Sequence, residues 1–281
     1  MREYVENAYR LLLRREPEAE ALVWATAQLK TGALSRAALL AELIASDEFG
    51  RLRAMDDAVA LATRARAQGA RLRRLTAPPA TEERLIEIPW VLSRYRGEPR
   101  VLDVGYANAN AAYLAALVEA VPAEVVGLDP VPRDVPGFRG VAGDLRALPF
   151  DARSFDVAFC VSTIEHVGRD NRVYGADAEQ DEGGILQALR ELRRVTSRIL
   201  LTVPTGATED HGWFVQLDVG TWRQLFMEAA LELVDEEVYE LTAGGWRASS
   251  DEAAGLPYGE RGPAASAVYC VELGGLEQAA I

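Results

Sequence analysis

From residue 99 onward short apolar runs alternate with amphipathic ones, and this alternation constrains the fold more than any other feature of the chain. "RVLDV" (100–104) is followed by "NAAYLAALVEA" (110–120), "EVVGLD" (124–129), "FRGVAGD" (138–144), "SFDVAFCV" (154–161), "EGGILQALRELRRV" (182–195) and "RILLTVP" (198–204). Brief apolar runs bounded by turn residues read as buried strands, and the longer runs with apolar residues three and four apart read as helices. Strands alternating with helices form a parallel sheet covered on both faces. After a last helix, "VGTWRQLFMEAA" (219–230), the runs "LELVDEEVYEL" (231–241) and "SAVYCVEL" (266–273) have only a Gly-rich loop between them. They are expected to pair antiparallel at the sheet edge. The fold class is therefore α/β, a Rossmann-like, mostly parallel sheet with an antiparallel C-terminal edge.

Residues 1–76 carry a different pattern, helical throughout, and are expected to form a small all-α domain. Tyr4, Val5, Ala8, Leu11 and Leu12 recur at helical spacing. Pro17 suits the first turn of a second helix, Gly32 its end, and Ser35 the cap of a third. A fourth helix starts near Asp47 and runs into an arginine-rich end holding Arg64, Arg66, Arg71, Arg73 and Arg74. That end reads either as a solvated face or as a docking surface for an acidic partner. "TAPPA" (76–80) marks a linker, since its prolines end a helix and stiffen the joint. The expected organisation is a helical domain at 1–76, a linker and lead-in helix at 77–98, with Thr81 as a cap and Pro89 as a kink, and the α/β domain at 99–281.

The net charge of −13 argues against a nucleic-acid partner, because such a chain repels phosphate backbones. Cys160 and Cys270, the two cysteines, each sit in an apolar strand-like run and read as buried thiols. No disulfide or zinc spacing is present. The amphipathic, charged start "MREYVENAYRLLLRRE" does not read as a signal peptide. No apolar run approaches the ~18 residues that a membrane span needs. A cytoplasmic location is expected.

The first strand runs into Gly105 in "VLDVGYANANAAYL", where Ala107 and Ala109 stand in place of further glycines. A dinucleotide turn needs G-x-G-x-x-G after the strand, and that spacing is absent. Instead three carboxylates, Asp103, Asp129 and Asp144, fall at the ends of three successive strands. Ligands in open α/β sheets bind at those ends. Carboxylates there repel a pyrophosphate and suit a cofactor that has a positive centre and no phosphate.

The ordered set "VLDVG", "VVGLD", "GDLRALPFDARSFDVAFCVSTIEHVG" and "RILLTVP" resembles the class I S-adenosylmethionine-dependent methyltransferases over about residues 99–273. That resemblance implies S-adenosylmethionine as cofactor, with Asp103 and Gly105 against its methionine end. It further implies Asp129 on the ribose, and Asp144 with the Leu145 backbone on the adenine. Tyr106, Ala107, Pro130 and Ser162 complete the cofactor-binding set it implies.

His166 and His211, the two histidines, follow the fourth and fifth strands and so fall at the same sheet edge. Methyl transfer is mainly a matter of alignment. An oxygen acceptor must also lose a proton, which a base titrating near neutrality can take. His166 is the first candidate for that base, with Glu165 and His211 next. A metal set drawn from Glu165, His166, Asp210 and His211 lacks a specific spacing, and no metal is expected.

The string "STIEHVG…VYG…DEGG…ELRRV…LLTVPTG…HGWF", with "GGWRASSDEAA" at 244–254, is similar to bacterial methyltransferases linked to cell-surface polysaccharide assembly. The similarity implies a sugar or glycan hydroxyl as acceptor, on which Tyr174, Trp213 and Trp246 are expected to stack. The N-terminal "YRLLLRREPEAEALVWATAQLKTGALSRAALLAELIASDEF" resembles the small helical DUF4214 domain, although Glu18 and Ala21 depart from the usual Asp and Gly. This region is the expected seat of any protein partner or self-association. The expected function is methyl transfer to a small molecule. The alternative is a non-catalytic methyltransferase-like scaffold in a glycan-assembly complex, suggested by the altered glycine turn.

Overall fold

The computed structural model describes all residues except 177–179, 250–252, 254, 262–263 and 276–281. It separates into two compact units, Met1–Asp57 and Ala58–Ile281. The motif expected at 244–254 therefore falls partly outside the described residues.

The first unit holds α1 (Arg2–Leu13), α2 (Ala19–Thr31), α3 (Arg36–Ile44) and the first turns of α4 (Asp47–Ala67). The apolar stripes Val5/Ala8, Leu22/Ala25/Leu29 and Leu39/Leu43 close on one another as its core. Ser35 caps α3 by accepting a 3.1 Å bond from the Ala38 amide, and Gly32 ends α2 at φ +77°. Pro17 stands just outside α2 rather than in its first turn, since Glu18 is the cap residue.

The second unit is built on an eight-stranded sheet. Its strands are β1 (Val101–Val104), β2 (Val125–Asp129), β3 (Phe138–Ala142), β4 (Val157–Val161), β5 (Arg198–Pro204), β8 (Leu231–Thr242), β9 (Gly245–Ser249) and β10 (Ala267–Gly275). Spatial order is β3-β2-β1-β4-β5-β10-β8-β9, and β6 (Glu209–Asp210) pairs separately with β7 (Val215–Gln216). β1 to β5 are parallel, whereas β10 lies antiparallel between β5 and β8. The antiparallel edge is thus present. Its outermost strand is β9, which turns back on β8 within the Gly-rich loop.

Helices are α5 (Arg84–Arg94), α6 (Ala111–Ala120), α7 (Gly184–Val195) and α8 (Val219–Glu228). Alternation along the strands assigns the faces. Leu102, Val104, Cys160, Leu201 and Val203 join Leu189 and Leu192 of α7 and Trp222 and Phe226 of α8 in one core. Phe159 projects from the opposite face and meets Tyr113 of α6 and Tyr95 at the end of α5. Both cysteines are buried free thiols.

The arginine-rich stretch differs from its expectation. α4 ends at Ala67, and residues 71–77 run unwound past β10 and β8 to reach β9 at Ala77. Arg73 reaches Asp235 at 2.7 Å, Arg71 reaches Glu272 at 3.4 Å, and the Arg74 amide donates to Glu237 at 3.0 Å. Ala77 and Trp246 then exchange backbone bonds of 3.3 and 2.8 Å. The acidic partner of these arginines is the protein's own β8 and β10. A helix would have turned alternate side chains away from that acidic row, so pairing outweighs the modest helical propensity of Arg-Leu-Arg-Arg.

Candidate active site

The carboxyl ends of β1 to β4 surround a cavity of about 210 Å³. Asp103, Gly105, Asp129, Pro130, Asp144, Leu145, Ser162, His166 and Tyr174, expected from the sequence, all lie on its wall. Arg84, Asn110, Tyr113, Thr163 and Asn171 share the wall and were not expected.

Gly105 leaves β1 at φ +79° and directs its amide to the Leu128 carbonyl at 2.8 Å. A Cβ here would stand 2.6 Å from Thr163 Cγ2. Tyr106, Ala107 and Asn108 then form one turn of 3-10 helix, which needs no left-handed residue. This is why Ala107 can replace a glycine. Asn110 caps α6 with its side-chain oxygen on the Ala112 amide at 2.9 Å.

Tyr106 and Ala107 do not line the cavity. Tyr106 is fully buried beneath the loop, stacked on Phe138 at 5.3 Å, with its hydroxyl donating to the Arg133 carbonyl at 2.8 Å. Its ring occupies the space a Cβ would need at Gly127, at 2.6 Å. The Ala107 amide donates to Asp129 Oδ2 at 3.3 Å, and the Val131 amide to Oδ1 at 2.9 Å. Both residues therefore hold the loop and aim Asp129 from behind.

The three carboxylates differ in state. Asp103 is buried and its Oδ2 has no hydrogen-bond partner. Burial pushes its carboxyl well above the usual range, against the lowering effect of the nearby Tyr113 hydroxyl. Burial also raises Asp129, opposed by the Val131 and Ala107 amides. Asp144 is partly buried, but Arg146 outweighs that and holds it low. The two join through Nε–Oδ1 at 3.1 Å and Nη2–Oδ2 at 2.7 Å. An orphaned buried acceptor at Asp103 and an underused carboxylate at Asp129 fit a ligand bearing an ammonium and hydroxyls. The narrow approach at Gly105 fits a ligand held against backbone.

His166 sits in a nest of rings. Trp213 lies at 5.2 Å, Tyr174 at 5.3 Å and Phe214 at 5.8 Å. Its Nδ1 is 2.9 Å from the Trp213 carbonyl. A carbonyl only accepts, so Nδ1 carries the proton and Nε2 is the open acceptor. Burial lowers this imidazole to about 4, which keeps it neutral at physiological pH.

Glu165 is buried behind the wall, with Oε1 3.9 Å from His166 Nε2 and Oε2 without a partner. Burial pushes it up to about 8. His211 and Trp213 are also outside the lining, with His211 stacked on Phe214 at 4.4 Å. Trp246 is elsewhere: it is buried at the β9 edge, and its indole N–H donates to the Thr81 carbonyl at 2.9 Å. It cannot stack on anything in the cavity and instead anchors residues 77–81. Among the described residues no group of three or more His, Cys, Asp or Glu is placed to hold a metal ion.

Arg84 and Glu87 come from α5, the lead-in helix. The signal was available in "TEERLIEIPW", where Glu83, Arg84 and Glu87 interrupt a helix that is otherwise apolar and buried.

Residues 102–198 match the family model described as a methyltransferase domain. No curated protein is significantly similar to the chain. Among solved structures, the YcgJ protein of Bacillus subtilis is 16% identical, over 65% of this chain and 94% of its own, with a TM-score of 0.42. An S-adenosylmethionine-dependent methyltransferase of Methanosarcina mazei is 13% identical, over 66% and 96%, at 0.44. The 1,6-didemethyltoxoflavin N1-methyltransferase of Burkholderia thailandensis, solved with 1,6-didemethyltoxoflavin and S-adenosylhomocysteine, is 16% identical over 64% and 72%, at 0.40. Residues 102–198 thus match a methyltransferase domain and lie within a mostly parallel, Rossmann-like sheet.

Proposed function

We propose that the protein transfers a methyl group from S-adenosylmethionine to a hydroxyl of a sugar or glycan, in the cytoplasmic assembly of cell-surface polysaccharide or glycoconjugate. The observation that carries the reading is one cavity with Asp103, Gly105, Asp129 and Asp144 on one stretch of wall and His166 and Tyr174 on another. In the proposed assignment Asp103 takes the cofactor's ammonium, Asp129 its ribose hydroxyls, and Asp144 with the Leu145 backbone its adenine. When bound, the cofactor supplies a methyl carbon activated by a sulfonium. His166 Nε2 would receive the proton that the acceptor hydroxyl gives up when its oxygen takes the methyl group. At about 4 the imidazole is neutral throughout the physiological range, so Nε2 is available, but it is a weaker base than one titrating near neutrality. Tyr174 on the wall would offer the acceptor a face suited to C–H-rich rings, with Trp213 outside the lining and 6.1 Å from it.

The proposed organisation keeps a DUF4214-like helical domain at 1–76, a lead-in at 77–98 and the catalytic domain at 99–281, the helical part serving a protein partner or self-association. Calorimetry with S-adenosylhomocysteine tests the cofactor site, and binding in the micromolar range is expected. Absence of binding at millimolar ligand would favour the scaffold. Transfer of labelled methyl groups to a panel of nucleotide sugars and oligosaccharides tests the acceptor. Transfer confined to amines would overturn the hydroxyl assignment.

A further inference from the structure

Arg84 stands on the cavity wall with one edge of its guanidinium in use. Nη1 pairs with Glu87 Oε2, and the other oxygen of Glu87 accepts a 2.7 Å bond from the Ser162 hydroxyl. Ser162 itself is held at φ +41° directly after β4, an uncommon backbone state for a residue with a side chain. The chain Ser162–Glu87–Arg84 thus fixes the guanidinium at the β4 side of the cavity. Among the described residues Nε and Nη2 have no partner, and the side chain keeps 31% of its surface open. Arg146, the other arginine on the wall, is committed to Asp144 on the β3 side. A planar fork with a free edge is the geometry that recognises carboxylates.

The surroundings do not cancel that charge. Glu83 and Glu165 lie near Arg84, each with a buried, unpartnered Oε2. Burial raises Glu83 to about 7 and Glu165 to about 8, so both hold protons to a large extent at neutral pH. Glu87 is the one carboxylate joined to the guanidinium. β1 lies between β2 and β4 in the sheet, so the orphaned Oδ2 of Asp103 at its end is next in line from Ser162. An unpaired cationic edge on the same wall as an unpartnered carboxyl oxygen suits a ligand that carries a carboxylate next to a hydrogen-bond donor such as an ammonium.

We propose that Arg84 is the carboxylate-binding residue of the cavity, with the unpartnered Asp103 oxygen on the same wall for the ligand's ammonium or hydroxyl. This rests on the cofactor reading above. Two sources share the chemistry: the amino-acid end of the cofactor, or a carboxylate on the acceptor.

The test is calorimetry on the full chain and on its Arg84→Met and Arg84→Lys variants with two nucleosides. S-adenosylhomocysteine carries the amino-acid end, and 5′-methylthioadenosine lacks it. If the cofactor is the source, the wild type binds the former about tenfold or more tightly than the latter, and Arg84→Met removes that margin while leaving methylthioadenosine affinity unchanged. Arg84→Lys restores part of the margin. Retained methylthioadenosine binding certifies that each variant is folded. Equal weakening of both ligands overturns the proposal, because Arg84 then only supports the fold.

If Arg84→Met changes neither affinity, the acceptor arm decides. Saturation-transfer NMR on the S-adenosylhomocysteine-saturated protein compares glucuronate with glucose. A glucuronate signal lost in Arg84→Met assigns the subsite to the acceptor, and an unchanged signal overturns the proposal. A wild type that binds neither nucleoside refutes the cofactor reading instead, and the glucuronate comparison on the free protein still judges Arg84.

Discussion

Substituting Gly105 by alanine offers a sharp test of the loop, because the structure states both parts of the cost. The residue lies at φ +79°, a left-handed state that costs a residue with a Cβ about 1–2 kcal/mol. The new methyl would stand 2.6 Å from Thr163 Cγ2 and closer still to Thr163 Oγ1. That side chain bridges β1 and β4, its hydroxyl lying 3.2 and 3.0 Å from the Val104 and Val161 carbonyls and sharing its one proton between them. Moving it forfeits a hydrogen bond of about 1 kcal/mol and disturbs close packing for about as much again. Gly105→Ala should therefore destabilise the larger unit by about 3–4 kcal/mol and weaken S-adenosylhomocysteine binding. Urea unfolding followed by tryptophan fluorescence measures the first part, since Trp90, Trp222 and Trp246 are all buried in that unit. In a Thr163→Ala background the two contacts shorter than 3.0 Å are removed and only the Cβ at 3.0 Å stays, so the cost should fall toward the backbone part, about 1–2 kcal/mol. An undiminished cost in that background would refute the steric account.

Asp129→Ala should weaken S-adenosylhomocysteine binding by about 1.5–3 kcal/mol, the scale of charge-assisted hydrogen bonds, and unchanged affinity in calorimetry would remove Asp129 from the ribose role. His166→Ala should lower turnover far more than cofactor affinity. In the wild type the rate should stay level as pH falls through 6.5 and drop only toward about 4, and a midpoint near 6.5 in the pH–rate profile would refute the burial argument. Glu165, raised to about 8, binds a proton in the folded state that the unfolded chain releases above its ordinary carboxylate pKa. Its contribution is complete below about pH 4.5 and lost as pH rises through 8, so Glu165→Gln should reduce the slope of stability against pH in that window by about 1.4 kcal/mol per unit, measured by urea titration at a series of pH values. Trp246→Phe, which removes the bond to Thr81, should cost about 1 kcal/mol of stability and leave cofactor affinity as it was; reduced affinity would return Trp246 to the site.

The strand–helix alternation was legible because periodicity reports burial directly, and the ends of β1, β2 and β3 carried Asp103, Asp129 and Asp144 to one cavity as their order implied. Tyr106 and Ala107 were misplaced because adjacency to Gly105 says nothing about which side of a one-turn 3-10 helix a residue faces. Trp246 was misplaced because an aromatic in a Gly-rich loop reads the same whether it faces a ligand or a backbone carbonyl. Arg84 was missed because a buried charge inside an apolar helix announces itself only when its partners, here Glu87 and through it Ser162, are known to be near. Local pattern carries the elements; long-range electrostatics at 71–74, 84–87 and 235–237 belongs to tertiary contact alone.

Glu272 joins Arg198 at 2.9 Å and Arg71 at 3.4 Å and also pairs with Arg96, while the wholly buried Arg94 reaches Asp235 at 3.1 Å and lies 3.6 Å above the Trp90 ring. These partners are separated by as many as 201 residues. During synthesis Arg71, Arg94 and Arg96 cannot meet these carboxylates until β8 and β10 have left the ribosome. The N-terminal helices close on neighbours already made, so the two parts should mature at well separated times. A nascent chain arrested before β10 should carry a protease-resistant front and a cleavable, unfinished remainder.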